Sequence, residues 1–231
     1  MEKIVEIWRN NYFIQPILDI VLILTFVISV RKKSNIKELK LLPIYLGSFI
    51  LLMFNTYFFH LFFINTSLSN FFSSLDRYGN FIVTLFEFIT FSYYLYSIND
   101  STLFKRIIKI LFSLSISIFA IVLTKLILLD KYKGMNLLNR LYMIESISLL
   151  FMSILYLVHY FITDKFSTSK NIHLPIVKGL TLYLVLTLPI TFFTTDFFMS
   201  DITLYKNIFA IIYLSYILLF IQIIKGYNSL N

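Results

Sequence analysis

Residues 106–129 read RIIKILFSLSISIFAIVLTKLILL, and the charged residues of this run, Arg106, Lys109 and Lys125, lie toward its two ends. A helix needs roughly 20 apolar residues, at about 1.5 Å of rise each, to cross the hydrocarbon core of a bilayer. The run is continuously apolar and lacks the period-two alternation that is typical of a membrane β-barrel strand. We therefore predict a transmembrane helix here.

Six further runs of this kind flank the first one on both sides. Together they predict an all-α, polytopic integral membrane bundle of seven transmembrane helices that forms a single domain over residues 1–231. Six or eight spans are the alternatives, because the segment Asn65–Gly79 is rich in Ser and Asn but holds Phe71 and Phe72, and we interpret it as a loop with an interfacial stretch. The predicted spans cover about residues 11–30, 41–64, 80–98, 106–129, 141–162, 174–198 and 204–224.

The composition excludes several classes of protein and of site. Hydrophobic residues make up 58% of the chain and charged residues 14%, whereas a soluble domain usually has about 25% charged residues. The chain has no Cys, three His and five Gly, so we predict no disulfide, no metal site and no cofactor. The net charge of +8 comes from Lys and Arg between the apolar runs, which is typical of membrane topology. The predicted partner is the lipid bilayer, and no nucleic acid is expected.

The positive charges also predict an orientation. Arg31, Lys32 and Lys33 directly follow the first span, and Lys105 and Arg106 lie on the same side, at the start of the fourth. Because cytoplasmic loops of membrane proteins are enriched in Lys and Arg, the N-terminus is predicted outside and the C-terminus in the cytoplasm. These five residues are the predicted contact surface for a partner protein or for anionic lipid.

Polar and ionisable residues inside the spans are the candidate functional residues, because they are costly in a membrane and usually face the bundle interior or a wet cavity. Glu87 and Glu145 are the leading pair, and we predict that they line one cavity that opens outward. Thr84, Glu87, Phe91 and Tyr94 follow a spacing of three and four residues and should share one helix face. The alternative is that each polar residue makes a separate interhelical hydrogen bond. The predicted cavity residues are Asp19, Asn55, His60, Glu87, Lys125, Glu145 and Asp196.

Two further expectations concern packing and the loops. The chain has no Gly-x-x-x-G motif, so we expect the helices to pack through Ser, Thr and aromatic side chains and not through close glycine contacts. His173 lies between the fifth and sixth spans, and we predict that it is a solvated residue of a cytoplasmic loop.

Three local patterns resemble a known group of proteins. Glu87 precedes the aromatic-rich run Phe88–Tyr96, Glu145 is followed by Ser-Ile-Ser, and Pro175 precedes Gly179-Leu-Thr-Leu-Tyr. The chain in this respect resembles a group of small, uncharacterised bacterial seven-helix membrane proteins that are often encoded beside sensor histidine kinases. The resemblance implies a location in the bacterial cytoplasmic (inner) membrane and a sensory or accessory role beside a histidine kinase or another membrane protein.

Two functions therefore compete. The first is a sensory or accessory subunit that acts through a membrane or cytoplasmic partner. The alternative is a small proton- or cation-coupled transporter that uses mid-membrane carboxylates such as Asp19 and Glu87. An enzyme is less favoured, and no catalytic residue is assigned, because the chain has neither a Gly-x-Ser nucleophile motif nor a His-Glu-x-x-His metalloprotease motif.

Overall fold

The computed structural model describes residues 14–32, 37–58, 69–128, 131–162, 173–200 and 202–229. These residues form seven α-helices and no strand, and all seven helices are long and apolar enough to cross a membrane. The prediction of an all-α bundle of seven transmembrane helices is thus confirmed. In chain order the helices are α1 (Ile14–Arg31), α2 (Leu42–Phe58, after a 3-10 turn at Lys37–Leu39), α3 (Ser69–Ile98), α4 (Thr102–Leu128), α5 (Lys131–Ile162), α6 (His173–Ser200) and α7 (Ile202–Asn228).

Two helices extend beyond their apolar windows. Helix α3 begins at Ser69, although its apolar window begins at Tyr78, and α5 begins at Lys131, ahead of a window that begins at Arg140. The interpretation of Asn65–Gly79 as a loop is therefore wrong from Ser69 onwards, while residues 65–68 lie outside the described residues. Once the apolar part of a helix has formed, each added residue gains a backbone hydrogen bond without a new nucleation cost.

The helices pack in chain order around a closed ring. Helix α1 lies between α2 and α7, α6 lies between α5 and α7, and α4 lies between α3 and α5. Helix α3 also contacts α5, and its span is the most buried of the seven. Because consecutive helices alternate in direction, the C-terminal ends of α1, α3, α5 and α7 meet the N-terminal ends of α2, α4 and α6. We call this end of the bundle the basic end and the opposite end the far end.

Charge is distributed unevenly between the two ends. Of the Lys and Arg side chains that the structure describes, Lys125 and Arg140 lie at the far end. Two lysines of α4, Lys105 and Lys109, lie over the ring of Tyr96 with Nζ 5.6 and 5.4 Å from its centroid, an arrangement that favours cation–π attraction. The basic end carries Arg31, Lys32, Lys37, Lys40, Lys105, Arg106, Lys109, Lys178 and Lys225.

The outer faces of the helices are apolar. Large apolar side chains such as Ile20, Leu51 and Leu114 are more than half exposed when the protein is considered without surrounding lipid. In water such a surface would be unfavourable, since each exposed square ångström of apolar area costs about 25 cal/mol. Together with the seven span-length helices, it identifies a multi-pass membrane protein whose outer surface contacts the lipid bilayer.

One glycine brings two helices close together. A Cβ atom added at Gly179 on α6 would lie 2.6 Å from Cβ of Gln222 and 3.7 Å from the Cα of Leu219, both on α7. The expectation that the bundle avoids close glycine contacts is therefore wrong at this position. A single glycine allows this close approach because a side chain at this position would point into the neighbouring helix.

Candidate functional site

A stripe of buried residues runs along the inner face of α3. It includes Thr84, Glu87, Phe91 and Tyr94, which the sequence predicts on one face, and all four are buried. Residues three and four positions apart lie above one another on a helix, so the stripe points toward the axis of the bundle. Its one ionisable carboxyl group, that of Glu87, is 3% exposed. It lies about 16 Å along the helix from Ile98, at ~1.5 Å per residue.

Three tyrosines from three other helices surround the Glu87 carboxyl group. Tyr45 on α2 donates its hydroxyl hydrogen to Oε2 over 3.0 Å, and Tyr216 on α7 donates to the same oxygen over 3.4 Å. Tyr183 on α6 interacts electrostatically with this carboxyl group. Four helices thus place one polar group each at a single point in the bundle interior.

A second buried carboxyl group interacts electrostatically with the first. Glu145 on α5 is 5% exposed, and it is electrostatically coupled to Glu87. Within the described part of the chain, its Oε1 atom has no hydrogen-bond partner. We call Glu87, Glu145, Tyr45, Tyr183 and Tyr216 the carboxyl cluster.

Among the residues that the structure describes, the carboxyl cluster has no compensating positive charge. The groups that contact or interact with Glu87 and Glu145 in the described residues are tyrosines and the other carboxyl, with no Lys, Arg or His among them. Burying an ionised carboxylate costs several kcal/mol unless it is paired, and two like charges repel strongly in a low dielectric. A proton or a small cation at the pair would remove this cost.

Aromatic rings close the carboxyl cluster on the side of the basic end. The ring of Phe91 packs edge-on against Tyr45 with centroids 5.8 Å apart, and Phe49 packs edge-on against Tyr216 at 5.3 Å. Tyr216 also packs against Tyr183, with centroids 4.6 Å apart. This layer packs against the tyrosine rings above the buried carboxyl groups.

Three of the other predicted cavity residues, Asp19, Asn55 and Lys125, lie in the described part of the chain and outside the carboxyl cluster. Asp19 on α1 accepts a hydrogen bond from the Tyr57 hydroxyl of α2, nearer the far end than Glu87. Asn55 is half-buried on the same part of α2, and its Nδ2 atom has no partner among the residues that the structure describes. Lys125 is exposed and does not belong to the carboxyl cluster. His60 and the side chain of Asp196 lie outside the described residues. The outward opening of the predicted cavity stays a prediction.

The predicted contact residues at the basic end have different surroundings. Arg31 and Arg106 are exposed, and Lys105 is half-buried. Lys32 instead ties α1 to α7, because its Nζ donates to the backbone oxygen of Tyr227 over 3.3 Å and to Oδ1 of Asn228 over 3.2 Å. Lys33 lies outside the described residues.

Sequence reasoning missed the three tyrosines of the carboxyl cluster. Tyrosine usually lies at the interface in membrane proteins, and the sequence alone favours that interpretation. Tyr183 and Tyr216, however, lie well inside their spans. A tyrosine hydroxyl buried at that depth needs a hydrogen-bond partner, and this was the available signal.

His173 is also not the solvated loop residue that the sequence predicts. It is the first residue of α6 and is half-buried, and its Nδ1 atom lies 3.1 Å from the hydroxyl oxygen of Tyr94. The helix begins this early because Pro175 fits the first turn of a helix, where its missing N–H group has no intrahelical partner to lose.

Comparison of the chain with protein-family models, with curated proteins and with solved structures finds no match. Across the described ranges, no three His, Asp or Glu side chains are grouped so that they could hold a metal ion. The basis for a functional proposal is therefore the carboxyl cluster, which no basic side chain of the described residues accompanies.

Proposed function

We propose that the protein is a small proton- or cation-coupled transporter of a bacterial cytoplasmic membrane, with Glu87 and Glu145 as its cation site. One observation carries the proposal: two buried carboxyl groups interact with each other, and no basic side chain accompanies them in the described structure. Ionisable residues inside membranes mark ion pathways and proton relays, and carriers place their coupling sites near the midplane.

The chemistry of the pair explains how such a site would couple. With one positive charge bound, as a proton or a monovalent cation, the two carboxyl groups coexist at little electrostatic cost. Without it they repel, and the closed arrangement around the three tyrosine hydroxyls is less stable. Binding and release of the cation therefore shift the balance between closed and open conformations, as a coupled carrier requires.

The proposal is tested by labelling with dicyclohexylcarbodiimide, an apolar reagent that adds covalently to protonated carboxyl groups. The purified protein in lipid nanodiscs should acquire one adduct, which peptide mapping places on Glu87 or Glu145. If the cation is a proton, the labelling rate falls as the pH is raised. If it is sodium or potassium, the rate falls when that ion is added at constant pH. No adduct on either residue, or a rate that none of these conditions changes, would overturn the proposal.

The orientation is part of the proposal. The described Lys and Arg residues lie mostly at the basic end, which supports a cytoplasmic basic end under the positive-inside rule. A reporter fused after Asn231 should then be active in the cytoplasm, and one inserted within residues 59–68 should be active outside. Activity of both reporters on the same side would contradict this arrangement.

A second candidate is the sensory or accessory subunit implied by the resemblance to bacterial seven-helix proteins. The observation in its favour is the exposure of Arg31 and Arg106 at the basic end, where a cytoplasmic partner such as a histidine kinase would dock. Affinity purification from mild detergent should then recover the kinase with the wild type and lose it with Arg31→Glu/Arg106→Glu. The matched control is Lys125→Glu/Arg140→Glu at the far end. The sensory or accessory role would be excluded if both double variants recover the kinase. It would also be excluded if neither the wild type nor the control variant recovers it.

A further inference from the structure

We propose that Tyr94 and His173 form a second proton-binding site, at the basic end, which exchanges protons with Glu87 when the ring of Phe91 moves aside. The inference rests on the proposed function and applies to the case in which the coupling cation is a proton. It adds to that function a path for the proton and the residue that blocks this path in the closed bundle.

The geometry of the pair is the first support. The Tyr94 hydroxyl oxygen and Nδ1 of His173 are 3.1 Å apart, and the two rings pack with centroids 5.7 Å apart. Tyr94 is completely buried and lies on the same stripe of α3 as Glu87, about 10 Å farther along the helix at ~1.5 Å per residue. His173 is the first residue of α6, at the basic end of the bundle, and it is half-buried. Histidine commonly acts as a proton shuttle.

The surroundings of the pair are the second support. Glu38 from the 3-10 turn interacts electrostatically with both Tyr94 and His173, and Tyr156 from α5 and Tyr227 from α7 interact with Tyr94. Lys32 of α1 reaches the backbone oxygen of Tyr227. In the part of the chain that the structure describes, the hydroxyl of Tyr227 is buried without a hydrogen-bond partner. Such a group is the usual partner of buried water, which a proton path requires.

The third support is the barrier. Phe91 lies between Glu87 and Tyr94 on the stripe, and it is completely buried with its ring against Tyr45. Tyr45 in turn donates its hydroxyl hydrogen to Glu87. The stripe is therefore polar on both sides of Phe91 and apolar at Phe91 itself, and a phenyl ring offers neither a donor nor an acceptor for proton transfer.

The transfer balances without any other reactant. When Phe91 moves aside, the proton of the Glu87 carboxyl group passes through intervening water to the oxygen of Tyr94, while Tyr94 gives its own hydroxyl proton to Nδ1 of His173. The imidazolium ion then releases a proton to the water at the basic end. Glu87 is left as a carboxylate, and the next proton reaches it from the far end.

The test measures proton entry into vesicles of phosphatidylethanolamine and phosphatidylglycerol that hold the full-length protein and an internal pH dye. A potassium diffusion potential drives the protons. Phe91→Ala should raise the rate at least tenfold over the wild type, since a permanent opening replaces a rare one. Phe88→Ala is the matched control: Phe88 is equally buried on α3 but packs against Phe112 and Phe119 of α4, and its removal should not raise the rate.

Three further variants identify the path. Adding Glu87→Gln or His173→Gln to Phe91→Ala should return the rate to that of the wild type, whereas adding His159→Gln should not. If Phe91→Ala does not accumulate in the membrane, Phe91→Leu and Phe88→Leu replace the alanine pair. Equal rates for the Phe91 and Phe88 variants, or a leak that survives both Glu87→Gln and His173→Gln, would overturn the inference. If this inference fails, carbodiimide labelling that depends on pH would still support the proposed cation site at Glu87 and Glu145. Labelling that depends on sodium alone would support that cation site and exclude a proton path through Tyr94 and His173.

Discussion

Glutamine in place of Glu87 is expected to abolish pH-dependent or cation-dependent carbodiimide labelling of the carboxyl cluster, while the protein still inserts and accumulates normally. The amide has nearly the same size as the carboxyl group and keeps an oxygen that accepts hydrogen bonds from Tyr45 and Tyr216. It cannot bind and release a proton. The variant therefore removes the chemistry of the site and leaves its packing in place.

An alanine variant separates function from structure at the same position. Glu87→Ala leaves the hydroxyls of Tyr45 and Tyr216 without their acceptor, and each unsatisfied buried group costs about 1–3 kcal/mol. We expect its thermal unfolding temperature in mild detergent to fall below that of the wild type. The unfolding temperature of Glu87→Gln should equal or exceed the wild-type value, because a neutral group is easier to bury.

The opposite pattern would exclude the cation site. If Glu145 is still labelled in Glu87→Gln, with the same dependence on pH and salt as in the wild type, Glu87 has no part in cation binding. If the glutamine variant is also as unstable as the alanine variant, the carboxylate serves only as a hydrogen-bond acceptor between helices. That outcome would favour the structural alternative, in which each polar residue makes a separate interhelical contact.

Alanine in place of Gly179 is expected to destabilise the bundle. The new Cβ would lie 2.6 Å from Cβ and 2.9 Å from Cγ of Gln222, so α6 and α7 must move apart. Overpacking of this kind typically costs about 1–3 kcal/mol. The measurement is the thermal unfolding temperature in mild detergent.

Gly47 on α2 provides the matched control. A Cβ atom there would meet the ring of Phe26 at 3.5 Å, an ordinary van der Waals distance. Alanine favours a helix by about 0.8–1 kcal/mol over glycine, so Gly47→Ala should unfold at the same temperature as the wild type or at a higher one. Equal unfolding temperatures for the Gly179 and Gly47 variants would show that α6 and α7 do not depend on a close approach at Gly179.

The Gly179 variant should also affect the carboxyl cluster. Tyr183 lies one helical turn after Gly179 on α6 and packs against Tyr216 of α7 with ring centroids 4.6 Å apart. Moving α6 and α7 apart separates these two tyrosines and weakens their hold on Glu87. We therefore expect a faster rate of carbodiimide labelling in Gly179→Ala than in Gly47→Ala, because the reagent reaches the carboxyl groups more easily.

The membrane class, the seven helices and the stripe on α3 could be predicted from the order of residues in the chain. A span is recognised from the length and polarity of one continuous segment, such as residues 106–129, and the stripe follows from helical periodicity at Thr84, Glu87, Phe91 and Tyr94. Both depend on residues that are close together in the chain. Even so, the start of α3 at Ser69 could not be predicted, because the polarity of a segment does not show where a helix extends beyond the hydrocarbon core.

The members of the carboxyl cluster, the close approach at Gly179 and the pairing of His173 with Tyr94 could be recognised only in the folded bundle. Each of them depends on how far one helix is rotated about its axis and on its distance from a neighbour. Tyr45, Tyr183 and Tyr216 come from three helices that are far apart in the chain. The depth of Tyr183 and Tyr216 in their spans indicates burial, but the sequence does not show which group their hydroxyls meet. Interhelical packing brings their hydroxyls to one carboxyl group, because a buried carboxyl group is stable only where hydrogen-bond partners surround it.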